Sequence, residues 1–162
     1  MSYLIILVVI ALALAPVLAL KPSRRQRLQA HLRDRARELG LQVQVCTLPQ
    51  THRQEVRRED SQTGVVYRLL WRHPEGKYRQ FTWLLHRLET EPDKTPPGIL
   101  QAMRAALEQL PEAVLAVEFT NSGVAVYWDE AGDEQTVAAI AEQLNTLRDT
   151  LDRTPLDKEL SE

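Results

Sequence analysis

Cysteine and glycine are scarce in this 162-residue chain, and their scarcity argues against several kinds of site. The single cysteine, Cys46, excludes an intramolecular disulfide and is typical of a reducing compartment. The six glycines are scattered along the chain instead of clustering at the start of a predicted helix, so no phosphate-binding loop is predicted. These two shortages argue against a secreted disulfide scaffold and against a nucleotide-dependent enzyme.

Motifs for nucleophilic catalysis and metal binding are missing as well. There is no G-x-S-x-G motif, and Cys46 falls in a predicted strand. The histidines have neither H-x-x-x-H spacing nor a cysteine partner; they are His31, His52, His73 and His86. In the acidic run 129–134 glycine stands fourth, whereas a calcium loop needs it sixth. The sequence therefore predicts no catalytic, cofactor-binding or metal-ligating residue, and it favours a protein that is not an enzyme.

Charge is absent from residues 3–20, which are apolar throughout except for the hydroxyl of Tyr3. A helix of this length spans about 27 Å at about 1.5 Å per residue, close to the bilayer hydrocarbon thickness of about 30 Å. We therefore predict a transmembrane anchor over residues 1–21. The alternative is a signal peptide cleaved after the small-x-small sequence Val17-Leu18-Ala19, but the positive n-region of such a peptide is missing.

Basic residues follow the apolar run and set its predicted orientation. No lysine or arginine precedes the run, whereas four follow it closely, and such residues collect on the cytoplasmic side. The prediction is a single pass through a bacterial inner membrane, with the N-terminus outside and the rest of the chain in the cytoplasm. Residues 21–37 are expected to lie near anionic lipid headgroups. The predicted membrane-interface residues are Tyr3, Lys21, Arg24, Arg25 and Arg27.

The rest of the chain divides by charge and by pattern. Residues 22–40 form a predicted basic juxtamembrane helix. Between residues 21 and 37 there are seven Lys and Arg, and Asp34 is the one acidic residue. Residues 41–152 carry the patterns of one cytoplasmic α+β domain. Residues 153–162 are expected to form a frayed acidic tail.

Helical periodicity predicts three helices beyond the anchor. Each begins at a residue that can cap it, namely Ser23, Thr95 or Asp133. Gly40 is placed to end the first of them in a left-handed conformation. The polar stretch 49–64 has no clear period, and we expect it to be a mobile loop or to contain a short helix around Gln54–Glu59.

Alternating apolar and polar residues predict five strands. Turn residues at 73–77 and 121–123 predict that four of the strands form two β-hairpins, at 65–88 and 114–128. The predicted strands cover 41–48, 65–72, 78–88, 114–120 and 124–128. An antiparallel sheet with helices packed against it buries these patterns economically.

The predicted fold class is therefore α+β. A single N-terminal transmembrane helix precedes a domain with an antiparallel sheet of about five strands and three helices, in the order α-β-β-β-α-β-β-α. This order resembles that of the small secretion-chaperone fold, over residues 23–151 and without a shared motif. The resemblance implies a domain that binds extended stretches of client proteins and often dimerises. Such a likeness concerns fold and does not establish function.

The first predicted hairpin combines arginines and lysine with aromatic rings. Its basic residues form a predicted interaction surface: Arg68, Arg72, Lys77, Arg79 and Arg87. Basic and aromatic residues on a sheet can bind nucleic acid. However, alternation places most of these rings on the face expected to be buried, and the sequence pI of about 6.1 is acidic. The simpler interpretation is a sheet core with arginines outside.

These observations favour a membrane-anchored protein whose cytoplasmic domain is a protein-interaction, adaptor or accessory module of a membrane complex. Its expected partner is a protein that the sequence does not identify, or a second copy of the chain. The expected docking surfaces are the exposed edge strands of the sheet or the acidic last helix. The alternatives are an enzyme with a site that no motif reveals and a nucleic-acid-binding module that uses the hairpin 65–88.

Overall fold

The computed structural model describes Tyr3 and residues 23–72, 82–88 and 95–153. The chain divides into two compact units, with the boundary between His31 and Leu32. No helix within the described ranges is sufficiently long and apolar to cross a bilayer. Apart from Tyr3, the predicted anchor at 1–21 lies outside these ranges, as does the predicted tail beyond Arg153.

The described residues form an α+β fold with four helices and one five-stranded antiparallel sheet. This confirms the predicted class and sheet. In chain order the elements are α1 (Arg24–Glu38), β1 (Gln42–Thr47), α2 (His52–Arg57), β2 (Thr63–Leu70), β3 (Trp83–His86), α3 (Pro97–Gln109), β4 (Val114–Phe119), β5 (Gly123–Trp128) and α4 (Glu134–Arg153). The predicted count of three helices is wrong, because the polar stretch after β1 contains α2.

Helix α1 begins and ends with the signals that the sequence contains. At its start, the Gln26 N–H donates to Ser23 Oγ (3.2 Å), and the Ser23 N–H donates to Gln26 Oε1 (2.8 Å). At its end, Gly40 has a φ of +81°, and the Leu41 N–H donates to the Ala36 carbonyl. This is the Schellman arrangement that a glycine after a helix makes possible.

Helix α2 begins with a reciprocal capping box. The Gln54 N–H donates to Thr51 Oγ1 (3.3 Å), and the Thr51 N–H donates to Gln54 Oε1 (2.8 Å). Thr-x-x-Gln is a recognised start signal for a helix, so the sequence did contain the information for α2. The expected cap on α3 is wrong: its N-cap is Pro96, with no side-chain hydrogen bond, and not Thr95.

The strand order is β1-β2-β5-β4-β3, and every pair is antiparallel. The predicted hairpin 114–128 is confirmed, because β4 pairs with β5. The predicted hairpin 65–88 is wrong. Strand β2 has β1 on one side and β5 on the other, while β3 pairs with β4 at the far edge of the sheet. No edge of β2 is left for β3.

The core lies between one face of the sheet and the helices. Helix α3 packs against β4 and β3, α4 packs against β5 and β2, and the two helices contact each other. Helix α1 adds the fully buried side chains of Leu32 and Ala36. At the centre of the sheet Tyr67 and Trp128 meet edge to face, with ring centroids 5.4 Å apart. The opposite face of the sheet carries the second alternating set of side chains.

The last helix starts at the predicted cap, Asp133, and this cap predicts a pH effect. Asp133 Oδ1 accepts from the Thr136 N–H and from Thr136 Oγ1, both at 2.9 Å. These bonds, the backbone one first, lower the pKa of Asp133 below its ordinary 3.8. The stabilisation is therefore complete above pH 3.8 and is lost as the pH falls through the lower folded-state pKa.

We expect Asp133→Ala to lower the unfolding midpoint at neutral pH, and we expect the difference from the native chain to disappear in acid. Urea unfolding between pH 7 and pH 2 measures this difference. The control is Asp60→Ala at another exposed aspartate. A difference that is the same at every pH would contradict the assigned cap.

Candidate functional site

The predicted basic surface is not assembled among the described residues. Lys77 and Arg79 lie outside these ranges. Arg68 lies in β2 and Arg87 follows β3, and β5 and β4 separate these two strands in the sheet. Arg72 follows β2. The hairpin that would have joined these residues on one surface does not form.

Each of the three described arginines has a partner within the domain. Arg68 pairs with Glu118 (3.2 Å), and Arg72 pairs with Asp149 (3.3 Å). Arg87 donates from Nε to the Val114 carbonyl (2.8 Å). Its Nη2 donates to two carbonyls at the end of α3, those of Leu110 (3.1 Å) and Pro111 (3.0 Å). A phosphate would have to compete with these partners for each of the three arginines.

A polar cluster crosses the sheet face opposite the helices. Arg68 in β2 and Glu118 in β4 both lie opposite Ala125 of the intervening strand, and this small residue lets the two side chains meet. Glu118 is 13% exposed in its side chain. Burial and then Glu118 raise the pKa of Tyr127 to about 12. Arg68, Glu118 and Tyr127 thus connect three adjacent strands on one face. Arg68 is far from the other two in the sequence, so no local pattern indicates the cluster.

Cys46 belongs to the same electrostatic environment, and this gives a measurable prediction. Burial raises the pKa of its thiol, the charge of Glu118 raises it further, and Arg68 opposes both. Glu118→Gln removes a negative charge, so the thiol pKa falls and more thiolate is present at a given pH. We expect the pH profile of Cys46 alkylation by iodoacetamide to move to lower pH in this variant. Glu55→Gln, on exposed α2, is the control, and superimposable profiles for Glu118→Gln and the native chain would contradict the cluster.

Open cavities border the sheet at several places. One of about 310 Å³ lies at the end of β3 and is lined by Leu85, His86, Arg87, Leu88, Arg104, Leu107 and Glu108. The Leu88 N–H donates to Nδ1 of His86 (3.1 Å), so this nitrogen already serves the backbone. A second cavity, of about 500 Å³, lies beside the first half of β1. Among the described residues, no group of three or more His, Cys, Asp or Glu is arranged to hold a metal ion.

Strand β1 is at one end of the sheet with no described strand on its outer side, which we call the free edge, and the orientation of its backbone can be deduced. The Leu48 N–H donates to the Gln62 carbonyl (2.8 Å), which extends the ladder between β1 and β2 by one step. Bonded and non-bonded pairs alternate along an antiparallel ladder. Even-numbered residues of β1 therefore bond to β2. The N–H and C=O groups that face the free edge belong to Val43, Val45 and Thr47.

The sequence of β1 lacks the residue types that usually protect an edge strand. This sequence, QVQVCT, has no lysine, no proline and no charge of either sign. The side chain of Val45 is 52% exposed, although a β-branched apolar residue is usually packed in a sheet. Edge strands were among the expected docking surfaces, but the sequence does not show that β1 is one of them, because the strand order was not predicted.

The described membrane-interface residues all lie in the first unit. Tyr3 is exposed, and so are the three arginines in the first turn of α1: Arg24, Arg25 and Arg27. Within the described ranges no carboxylate forms an ion pair with these arginines, and their side chains are exposed. Lys21 lies outside the described ranges.

Comparison of the sequence with protein-family models and with curated proteins, and of the fold with solved structures, gives no match.

Proposed function

We propose that this chain is a single-pass membrane-anchored protein whose cytoplasmic α+β domain is a protein-interaction module, acting as an adaptor or accessory subunit of a membrane complex. The uncharged run 3–20, followed by four basic residues, supports the anchor and its orientation. The exposed arginines of α1 suit the anionic headgroups on the cytoplasmic side. The anchor confines the domain to a plane and so raises its effective concentration toward a membrane partner.

The observation that carries the interaction proposal is the unprotected edge of β1. In this uncharged strand, the N–H and C=O groups of Val43, Val45 and Thr47 face outward and have no partner strand among the described residues. An extended segment of a protein adds to such an edge through main-chain hydrogen bonds, and its alternate side chains provide specificity. Val45 offers an apolar contact beside those bonds. Protein docking by strand addition uses these groups directly.

The test removes one outward N–H without altering the pairing between β1 and β2. Val45→Pro does this, because the N–H of Val45 faces the free edge, where proline is tolerated. A photo-crosslinking side chain at Thr47 of the full chain, in its own membrane, reports what occupies the edge. We expect protein adducts that are lost in Val45→Pro and kept in the control Val45→Thr, which retains the N–H and the branched side chain. Adducts that persist in Val45→Pro, or no adducts in any version, would overturn docking at this edge.

The proposed topology has a separate test. We expect a C-terminal fusion to a reporter that works only in the cytoplasm to be active, and a fusion to one that works only in the periplasm to be inactive. The reason is that the basic residues follow the apolar run. A periplasmic signal would overturn the orientation, and release of the fusion protein from the membrane would overturn the anchor.

A further inference from the structure

We propose that the occupant of the β1 edge is β1 of a second copy, paired antiparallel about a two-fold axis at Val45. The result is one continuous sheet of ten strands across the dimer. This inference rests on the proposed function, since it names the partner of the same edge.

The two-fold at Val45 satisfies all the outward backbone groups of the strand. Val45 then lies opposite Val45 of the second copy, and Val43 lies opposite Thr47 of the second copy. Because residues 43, 45 and 47 all face the free edge, each of these pairs is a hydrogen-bonded pair of an antiparallel ladder. A two-fold at an even-numbered residue would give fewer bonded pairs within the six residues of β1.

The composition of β1 permits this self-pairing. A two-fold axis places residues opposite the same or nearby residues of the second copy, so a charged strand would place like charges together. The strand QVQVCT carries none. The two half-exposed Val45 side chains cover each other on the helix-bearing face, which buries apolar surface that the single chain leaves in water. On the other face Gln44 lies opposite Cys46 of the second copy, a pairing of uncharged side chains.

There is room for the second strand. Gln42, Gln44, Val45 and Thr47 are exposed, so the described chain leaves most of the edge open. The cavity of about 500 Å³ runs along the first half of β1 and is lined in part by Leu41 and Arg37. In the proposed register this half lies opposite the end of β1 of the second copy. Six residues of edge pairing form a small interface, and confinement to a membrane favours it by mass action.

The register can be tested by disulfide cross-linking of the full chain in its membrane. In the proposed dimer the two residues 45 form a bonded pair with a Cα separation of about 5.5 Å, within the range of a disulfide. We expect Val45→Cys, in a Cys46→Ser background, to form a dimer on mild oxidation.

Three controls should stay monomeric under the same oxidation. Thr47→Cys in the same background places its thiols four residues out of register, about 13 Å along the strand. Native Cys46 is two residues out of register, a diagonal of about 7–8 Å between Cα atoms. Val56→Cys on exposed α2 reports random collision. A dimer from Val45→Cys alone supports the proposal. No dimer from Val45→Cys, or equal cross-linking of the controls, overturns it.

A charge exchange at the same position distinguishes self-pairing from docking of another protein. We expect Val45→Lys alone and Val45→Glu alone to be monomeric in mild detergent, because each places like charges on the axis. Co-expression of differently tagged Val45→Lys and Val45→Glu should restore a mixed dimer. Absence of a mixed dimer would contradict pairing about a two-fold axis at Val45. If no mixed dimer forms but the photo-crosslinker at Thr47 still gives adducts with another protein, the edge docks that protein and not a second copy of the chain.

Discussion

Replacing Arg33 by methionine is expected to destabilise the domain by about 3 kcal/mol, because it leaves a buried carboxylate without its counter-charge. Arg33 Nε donates to Glu130 Oε1 (2.7 Å), and Nη2 donates to Oε2 (2.5 Å), a bidentate pair. The Glu130 side chain is only 2% exposed. The hydrogen bond that Arg33 donates to this carboxylate is the main cause that raises the pKa of Arg33. Methionine keeps much of the aliphatic length and removes only the fork of donors.

The measurement is urea unfolding of the full chain in a mild detergent. The matched control is Arg35→Met, which breaks an exposed pair with Glu38 on the same helix (2.9 Å) and should cost less than about 0.5 kcal/mol. Adding Glu130→Gln to Arg33→Met should recover part of the loss, because the remaining buried group is then neutral. Equal effects of Arg33→Met and Arg35→Met would show that burial of Glu130 does not matter to stability.

The Arg33–Glu130 pair shows what a single sequence does not reveal. The two residues are 97 positions apart, and each looks like an ordinary surface charge in its own segment. Glu130 also adopts a left-handed backbone with φ of +60°, which glycine or asparagine would normally signal. Of the acids in the run 129–134, Asp133 was predicted to cap the last helix, and it does so. Nothing in the local sequence indicates that the Glu130 side chain is buried against Arg33 of α1.

The predicted and observed hairpins differ for an equally physical reason. Alternation identifies a strand and its buried face, and it did so for β2 and for Trp83–His86. Alternation does not say which strand lies alongside. The short turn 121–123 holds β4 and β5 side by side, so they pair with each other. Strand β2, in contrast, has β1 on one edge and β5 on the other, so β3 does not pair with it. Partner choice here depends on the whole sheet, so the local turn signal at 73–77 was misleading.

The free edge of β1 depends partly on local sequence and partly on the order of the strands in the sheet. The strand itself was predicted at 41–48, and its uncharged composition was visible in the sequence. Its position at the edge depends on the strand order. Which of its residues face outward depends on one hydrogen bond, from Leu48 to Gln62. The docking surface therefore becomes specific only when topology and register are known, although every residue in it was visible beforehand.

The described aromatic residues of the predicted hairpin 65–88 are core residues, as the simpler interpretation of the sequence expected. The largest destabilisation is expected among them. Trp71 and Trp83 are 7% and 8% exposed, and both pack against the fully buried ring of Phe119, with centroid distances of 5.0 and 5.2 Å. Trp71 Nε1 also donates to the Thr120 carbonyl (2.9 Å). Rings held in this way cannot stack on bases without unpacking the sheet.

Phe119→Ala is expected to cost about 4 kcal/mol, because it removes the ring between two tryptophans and leaves a cavity that the sheet cannot close. Phe119→Leu keeps most of the volume and should cost about 1 kcal/mol. Urea unfolding gives the free energies, and tryptophan fluorescence of the folded variant reports the loosened packing of Trp71 and Trp83. If Phe119→Ala were as stable as Phe119→Leu, the three rings would not form a close-packed unit. The aromatic residues would then be free to serve a ligand, and nucleic-acid binding would return as the better explanation for this part of the sheet.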